Sequence, residues 1–133
     1  MSESPYDWNQ AREAINAAKA AQKVAEDNVR EAYKQFGLAR RAYQTALAQK
    51  ILELRADAVP ATVCSDLARG DKHVADLRFK KDVAEGMKEA ASSAVWRHTA
   101  DRRELEQLVD WSMRRELAEG SGMQPQWTAK AVA

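Results

Sequence analysis

The chain has 133 residues, 45% of them hydrophobic and 31% charged, with five glycines, three prolines and a formal net charge of +1. That balance favours a single alanine-rich helical domain over a disordered chain or a β-sandwich. It argues equally against a strongly basic nucleic-acid protein and an acidic DNA mimic. The single cysteine, Cys64, excludes an intramolecular disulfide and suits a reducing cytoplasm.

The opening Met1-Ser2-Glu3-Ser4-Pro5 is polar and acidic, without the basic and apolar regions of a signal peptide. Nothing approaches the roughly 18 consecutive apolar residues of a transmembrane helix, so a soluble cytoplasmic protein is expected. A first helix should begin near Ser4 or Asp7, with Ser4 as N-cap, Pro5 in the first turn and Asp7 complementing the dipole. Alanine then recurs every seventh residue, at Ala11, Ala18, Ala25, Ala32, Ala39 and Ala46. The companion position holds Trp8, Ile15, Gln22, Val29, Phe36 and Tyr43. A heptad repeat of this kind marks a helix packed along its length on another, and alanine on the seam permits close approach. Gly37 would cost about 1 kcal/mol without ending the helix, which should run from about 5 to 58, roughly 75 Å. Near its end the pattern drifts to Leu47, Ile51, Leu54 and Ala58, as an undistorted helix does.

Pro60 opens a short elbow helix, about 60–69, that Gly70 should close. Asp71 is the expected N-cap of a second long helix, about 71–119. That helix repeats Leu77, Ala84, Ala91, His98, Leu105 and Ser112, with Met87, Ala94, Asp101 and Leu108 as companions. Gly120, Ser121-Gly122 and Pro125 should end it, leaving 121–133, with Trp127, as a loose tail.

The fold expected is all-α: a long antiparallel hairpin, coiled-coil-like, with an alanine-rich seam. Counting outward from an elbow near Cys64 sets Leu54 opposite Ala75, Phe36 near Ser93 and Ile15 near Arg114. Phe79, Val83, Trp96 and Trp111 lie off that seam, and a second apolar face calls for a homo-oligomer, a helical bundle of copies.

Chemistry is sparse. His98, Asp101, Arg102 and Glu104 share one stretch of helix, but the Glu-x-x-His spacing of helical metal sites is absent. A polar layer fixing register against Asn28 or Glu26 is the stronger reading. His73 and Asp76 read as a surface pair, and Cys64 as a buried packing residue. The chain has no phosphate loop, Cys-x-x-Cys or Gly-x-Ser-x-Gly. No catalytic residue, metal, cofactor or small-molecule substrate is expected.

Charge is distributed unevenly. Arg40, Arg41, Lys50 and Arg55 fall at the elbow end with Arg69, Lys72, Arg78, Lys80 and Lys81. Acidic residues gather at the opposite end, among them Glu104, Glu106, Asp110 and Glu116. A basic elbow could meet an acidic protein or a phosphate backbone. Trp96 and Trp111, flanked by arginines, could stack on bases, although burial in an oligomer is the commoner use.

The stretch Asp66-Leu67-Ala68-Arg69-Gly70-Asp71, continuing through Val74-Ala75-Asp76-Leu77-Arg78 to Asp82-Val83-Ala84 and Asp110-Trp111-Ser112, resembles small uncharacterised proteins of bacteriophages and prophages. The resemblance covers the elbow and second helix, about half the chain, and implies a setting in phage DNA metabolism or host takeover. The reading is a non-enzymatic helical interaction module, a phage-type accessory protein acting through protein contacts in the host cytoplasm. Arg69, Lys72, Arg78, Lys80 and Lys81 are the candidate partner-binding residues, and Phe79, Val83, Trp96 and Trp111 the candidate oligomer interface. Two alternatives remain: direct binding of DNA or RNA at the basic elbow, and inhibition of a host nuclease or defence complex.

Overall fold

A computed structural model describes residues 7–121. They form three helices and no strand: α1, Trp8–Ala56; α2, Ala61–Gly70; and α3, Lys72–Ser121. The expected cap at Ser4, Pro5 in the first turn and the tail with Trp127 lie outside the described residues. Among those described, no helix is long and apolar enough to cross a membrane.

Local chemistry sets each boundary. Asp7 is the N-cap of α1: its Oδ1 accepts the backbone N–H of Asn9 at 3.0 Å and of Gln10 at 3.2 Å, two of the donors a helix start leaves unsatisfied. The helix passes through Gly37 uninterrupted. It stops at Ala56, earlier than Val59-Pro60 suggested. Ala58 adopts φ 62°, Val59 N–H donates to Leu54 O at 3.0 Å and Ala58 N–H donates to Arg55 O at 3.1 Å. These are the paired bonds of a Schellman ending, with alanine in the left-handed position that glycine usually takes.

Pro60 then starts α2, its carbonyl accepting from Val63 and Cys64 at 3.1 and 3.2 Å. Gly70 belongs to α2 rather than closing it from outside, and the chain turns at Asp71, which is extended at φ −62° and ψ 135°. Asp71 then caps α3, Oδ2 accepting from Val74 N–H at 3.3 Å. α3 also continues one residue past the expected stop at Gly120.

The chain divides into two compact units. The larger comprises 25–95, and its fully buried residues are Cys64, Ala68, Val74 and Ala25. Three of the four surround the elbow, where the Cys64 thiol donates to Val59 O at 3.4 Å. That bond ties α2 to the turn that follows α1. Lys50 Nζ lies 3.6 Å from Glu53 and 3.7 Å from Asp71, so α1 also reaches the cap of α3. Further along, Tyr43 meets Lys81, and Phe36 meets Lys88. Partners on α1 descend in number as those on α3 ascend. Phe36 therefore sits five residues nearer the elbow than its expected neighbour Ser93. A count from Cys64 assumes a symmetric loop, and this elbow is asymmetric.

The smaller unit, described over 7–24 and 96–121, follows the same order. Gln22 meets Arg102 at 2.6 Å and Trp8 meets Glu116 at 2.9 Å. It has no fully buried residue among those described.

Ala58 carries a left-handed conformation that costs an L-residue about 1–2 kcal/mol. Ala58→Gly should stabilise the chain by about 0.5–1 kcal/mol after the added entropy of the unfolded glycine. A rise of a few degrees in thermal midpoint would show it.

Candidate interaction face

On α1 the heptad positions are those that the sequence indicates. In the larger unit Ala25 is buried and Val29, Ala32, Phe36, Ala39, Tyr43 and Ala46 are half-buried, while their neighbours Arg40, Arg41 and Gln44 are exposed. On α3 only one of the two seam positions matches. Leu77, Ala84 and Ala91 are half-buried, but Met87 is 64% exposed. The companions are Lys81, Lys88 and Val95, each half-buried. In the smaller unit His98, Leu105 and Ser112 keep the seam, with Arg102, Val109 and Glu116 as companions. Asp101 and Leu108 are exposed.

Charged side chains therefore occupy positions that a sequence reader assigns to apolar ones. Lys81 Nζ lies 5.0 Å from the centre of the Tyr43 ring. Lys88 Nζ lies 4.4 Å from that of Phe36 and 5.2 Å from that of Tyr33. Their methylene stems lie along apolar surface and their ammonium groups meet ring faces. Elsewhere Arg102 donates from Nε to Gln22 Oε1 and from Nη1 to Glu106 Oε1 at 2.9 Å. Trp8 Nε1 donates to Glu116. The polar layer expected around His98 and Asp101 is thus carried by Arg102, Gln22 and Glu106. His98 is half-buried and Asp101 exposed.

With charge in the seam, apolar side chains remain outside it. Phe79, Val83 and Met87 are 69%, 47% and 64% exposed. They line an open groove of ≈ 860 Å³ in the larger unit. Ala32 and Ala39 of α1 and Ala84 and Ala91 of α3 form its floor. Leu38, Gln35, Glu31 and Asn28 border it on the α1 side, and Lys80 borders it on the α3 side. A second cleft of ≈ 480 Å³ shares Leu38 and is lined also by Arg41, Thr45, Gln49 and His73.

The nine residues singled out from sequence do not form one patch. Phe79, Val83 and Lys80 come together on the groove. Arg69, Lys72 and Arg78 are exposed and make no ion pair among the described residues. On α3, Lys72 and Arg78 point about 120° apart at about 100° per residue. Lys81 leaves the basic set: its side chain is 24% exposed and turned to Tyr43 and Asp82. Trp96 and Trp111 belong to the smaller unit, Trp96 74% exposed and Trp111 under the Arg115 guanidinium at 5.5 Å.

Sequence reading missed Leu38, and it missed Met87 as a groove residue. The i, i+4, i+8 spacing of Phe79, Val83 and Met87 was the available signal. Among the described residues, no group of three or more His, Cys, Asp and Glu side chains could hold a metal ion. Comparison with protein families, curated proteins and solved structures finds no match.

Lys88→Met keeps the stem over Phe36 and removes the charge, and should cost about 0.5–2 kcal/mol. Lys88→Glu, which sets a carboxylate against the negative face of the ring, should cost more. Chemical denaturation of both variants ranks them.

Proposed function

We propose that this chain is a non-enzymatic interaction module, an antiparallel helical hairpin with a coiled-coil-like alanine seam that assembles into a bundle and acts through protein contacts. The observation carrying this reading is the placement of Leu38, Phe79, Val83 and Met87 around one open groove. Apolar side chains gathered around one groove, rather than scattered singly, support a contact site. The ladder of partners from Lys50–Asp71 through Tyr43–Lys81 to Phe36–Lys88 supports the hairpin. The resemblance of Asp66–Arg78 to small bacteriophage and prophage proteins supports an accessory role in phage DNA metabolism, carried out in the host cytoplasm.

A second reading, direct binding of nucleic acid, draws on Arg69, Lys72, Arg78 and Lys80, exposed and without an ion pair among the described residues. They are spread over α2 and α3, with Lys72 and Arg78 about 120° apart, an arrangement better suited to long-range attraction than to a fitted phosphate site.

Light scattering on the chain, alone and with a short single strand or duplex at low and moderate salt, separates the two. An oligomer that ignores both nucleic acids is the expected result. A mass shift that fades with salt would transfer the role to the exposed cations, because each neutralised phosphate releases a counterion. Arg69→Glu, Lys72→Glu and Arg78→Glu combined should then abolish it.

A further inference from the structure

The apolar stripe on this side of α3 is graded in size, exposed from Phe79 to Ala90 and half-buried at Ala94. Phe79, Val83 and Met87 are followed along the same side by Ala90 and Ala94, with Gly86 beside Met87. Large side chains lie at one end, small ones at the other. Such a stripe is complementary to itself when reversed. Rotation about a two-fold axis near Met87 sets Phe79 of one copy against Ala94 of the other, and Val83 against Ala90. Shared by two identical subunits, this makes an isologous contact that closes on itself.

The charges bordering the groove locate the same axis independently. Lys80 on the α3 side makes no ion pair among the described residues. Glu31, on the α1 side, accepts the Gln35 amide at 2.8 Å and forms no ion pair among the described residues. Continuing the pairs Tyr43–Lys81 and Phe36–Lys88 by about one turn brings Glu31 level with Ser93 of α3. Midway between Lys80 and Ser93 lies the Gly86–Met87 pair. One axis therefore matches large against small side chains and also brings Lys80 of each copy to Glu31 of the other, twice per dimer. The alanine floor gives the second ridge room to settle.

We infer that the occupant of this groove is a second copy of the chain, seated antiparallel about a two-fold axis at Met87, with reciprocal Lys80–Glu31 pairs. The inference rests on the reading of the groove as a contact surface and names the partner.

Sedimentation of the full chain across a concentration series tests it, with circular dichroism confirming that each variant keeps its helices. A dimer is expected, and Val83→Arg should render it monomeric. Lys80→Glu and Glu31→Lys should each weaken association about tenfold, because like charges then face each other. The Lys80→Glu/Glu31→Lys double variant should recover most of the loss. Met87→Cys should form a covalent dimer on mild oxidation, because its two Cα atoms meet near the axis. Glu89→Cys, on the opposite side of α3, should not, and the buried Cys64 leaves the unmodified chain as control.

A chain that stays monomeric at every concentration would overturn the second copy as occupant and the bundle assembly with it, whereas a dimer indifferent to Val83→Arg and to both charge reversals would overturn this seating alone. The underlying reading as a protein-contact module fails separately, by a salt-sensitive mass shift with nucleic acid.

Discussion

Alanine on the α1–α3 seam is the constraint on which the rest depends. It contributes little burial of its own and lets two backbones approach toward the lower end of the usual 8–10 Å separation of packed helices. Beside the alanines each layer pairs one long side chain from each helix, and here the two differ in chemistry. α1 supplies rings and an amide, Tyr43, Phe36, Gln22 and Trp8. α3 supplies charged or donor-seeking ends, Lys81, Lys88, Arg102 and Glu116. Each pair satisfies the polar end of one residue with the ring or amide of its partner. A shift by one heptad that sets Lys88 beside Val29 and Lys81 beside Phe36 would leave Tyr43 level with Val74, with no cation to meet. Such layers specify register, a role that polar groups in helical seams serve better than they serve stability.

The same arrangement accounts for the groove. A seam filled by alanines and charged stems does not accommodate Phe79, Val83 and Met87, which remain beside it over a floor of small residues. Firm packing is instead concentrated at the elbow. Cys64, Ala68 and Val74 are almost fully buried there. The left-handed Ala58, the extended Asp71 and the contacts of Lys50 hold the three helices around them. Buried apolar contacts are what resist local opening, and among the described residues they gather around the elbow.

Much of this is legible from residue spacing alone. The alanine heptad identifies the buried face of α1, the Pro60 and Asp71 signals separate three helices, and Cys64 reads correctly as a packing residue. The companion position of α3 was not legible, because hydrophobicity pointed to Met87 and Leu108 whereas Lys88 and Arg102 take the seam. Their stems are apolar and their heads find partners only across the interface, a fact no single-helix pattern contains. Register was displaced by five residues for a related reason: the turn is asymmetric, ending α1 at a left-handed alanine that carries no compositional signal. A pattern that places Met87 on the seam hides it from the groove and leaves Lys81 among the basic surface residues.

Register is the claim from which the groove, its floor and its axis all descend, and an intrachain cross-link tests it most directly. In dilute solution, Ala39→Cys paired with Ala84→Cys should oxidise to a monomeric disulfide, because those two positions share the groove floor. Cα atoms more than about 7 Å apart cannot be bridged without backbone movement. Ala39→Cys paired with Ala90→Cys, the register expected from a symmetric elbow, should remain reduced. Closure of the Ala90 pair and failure of the Ala84 pair would contradict the account.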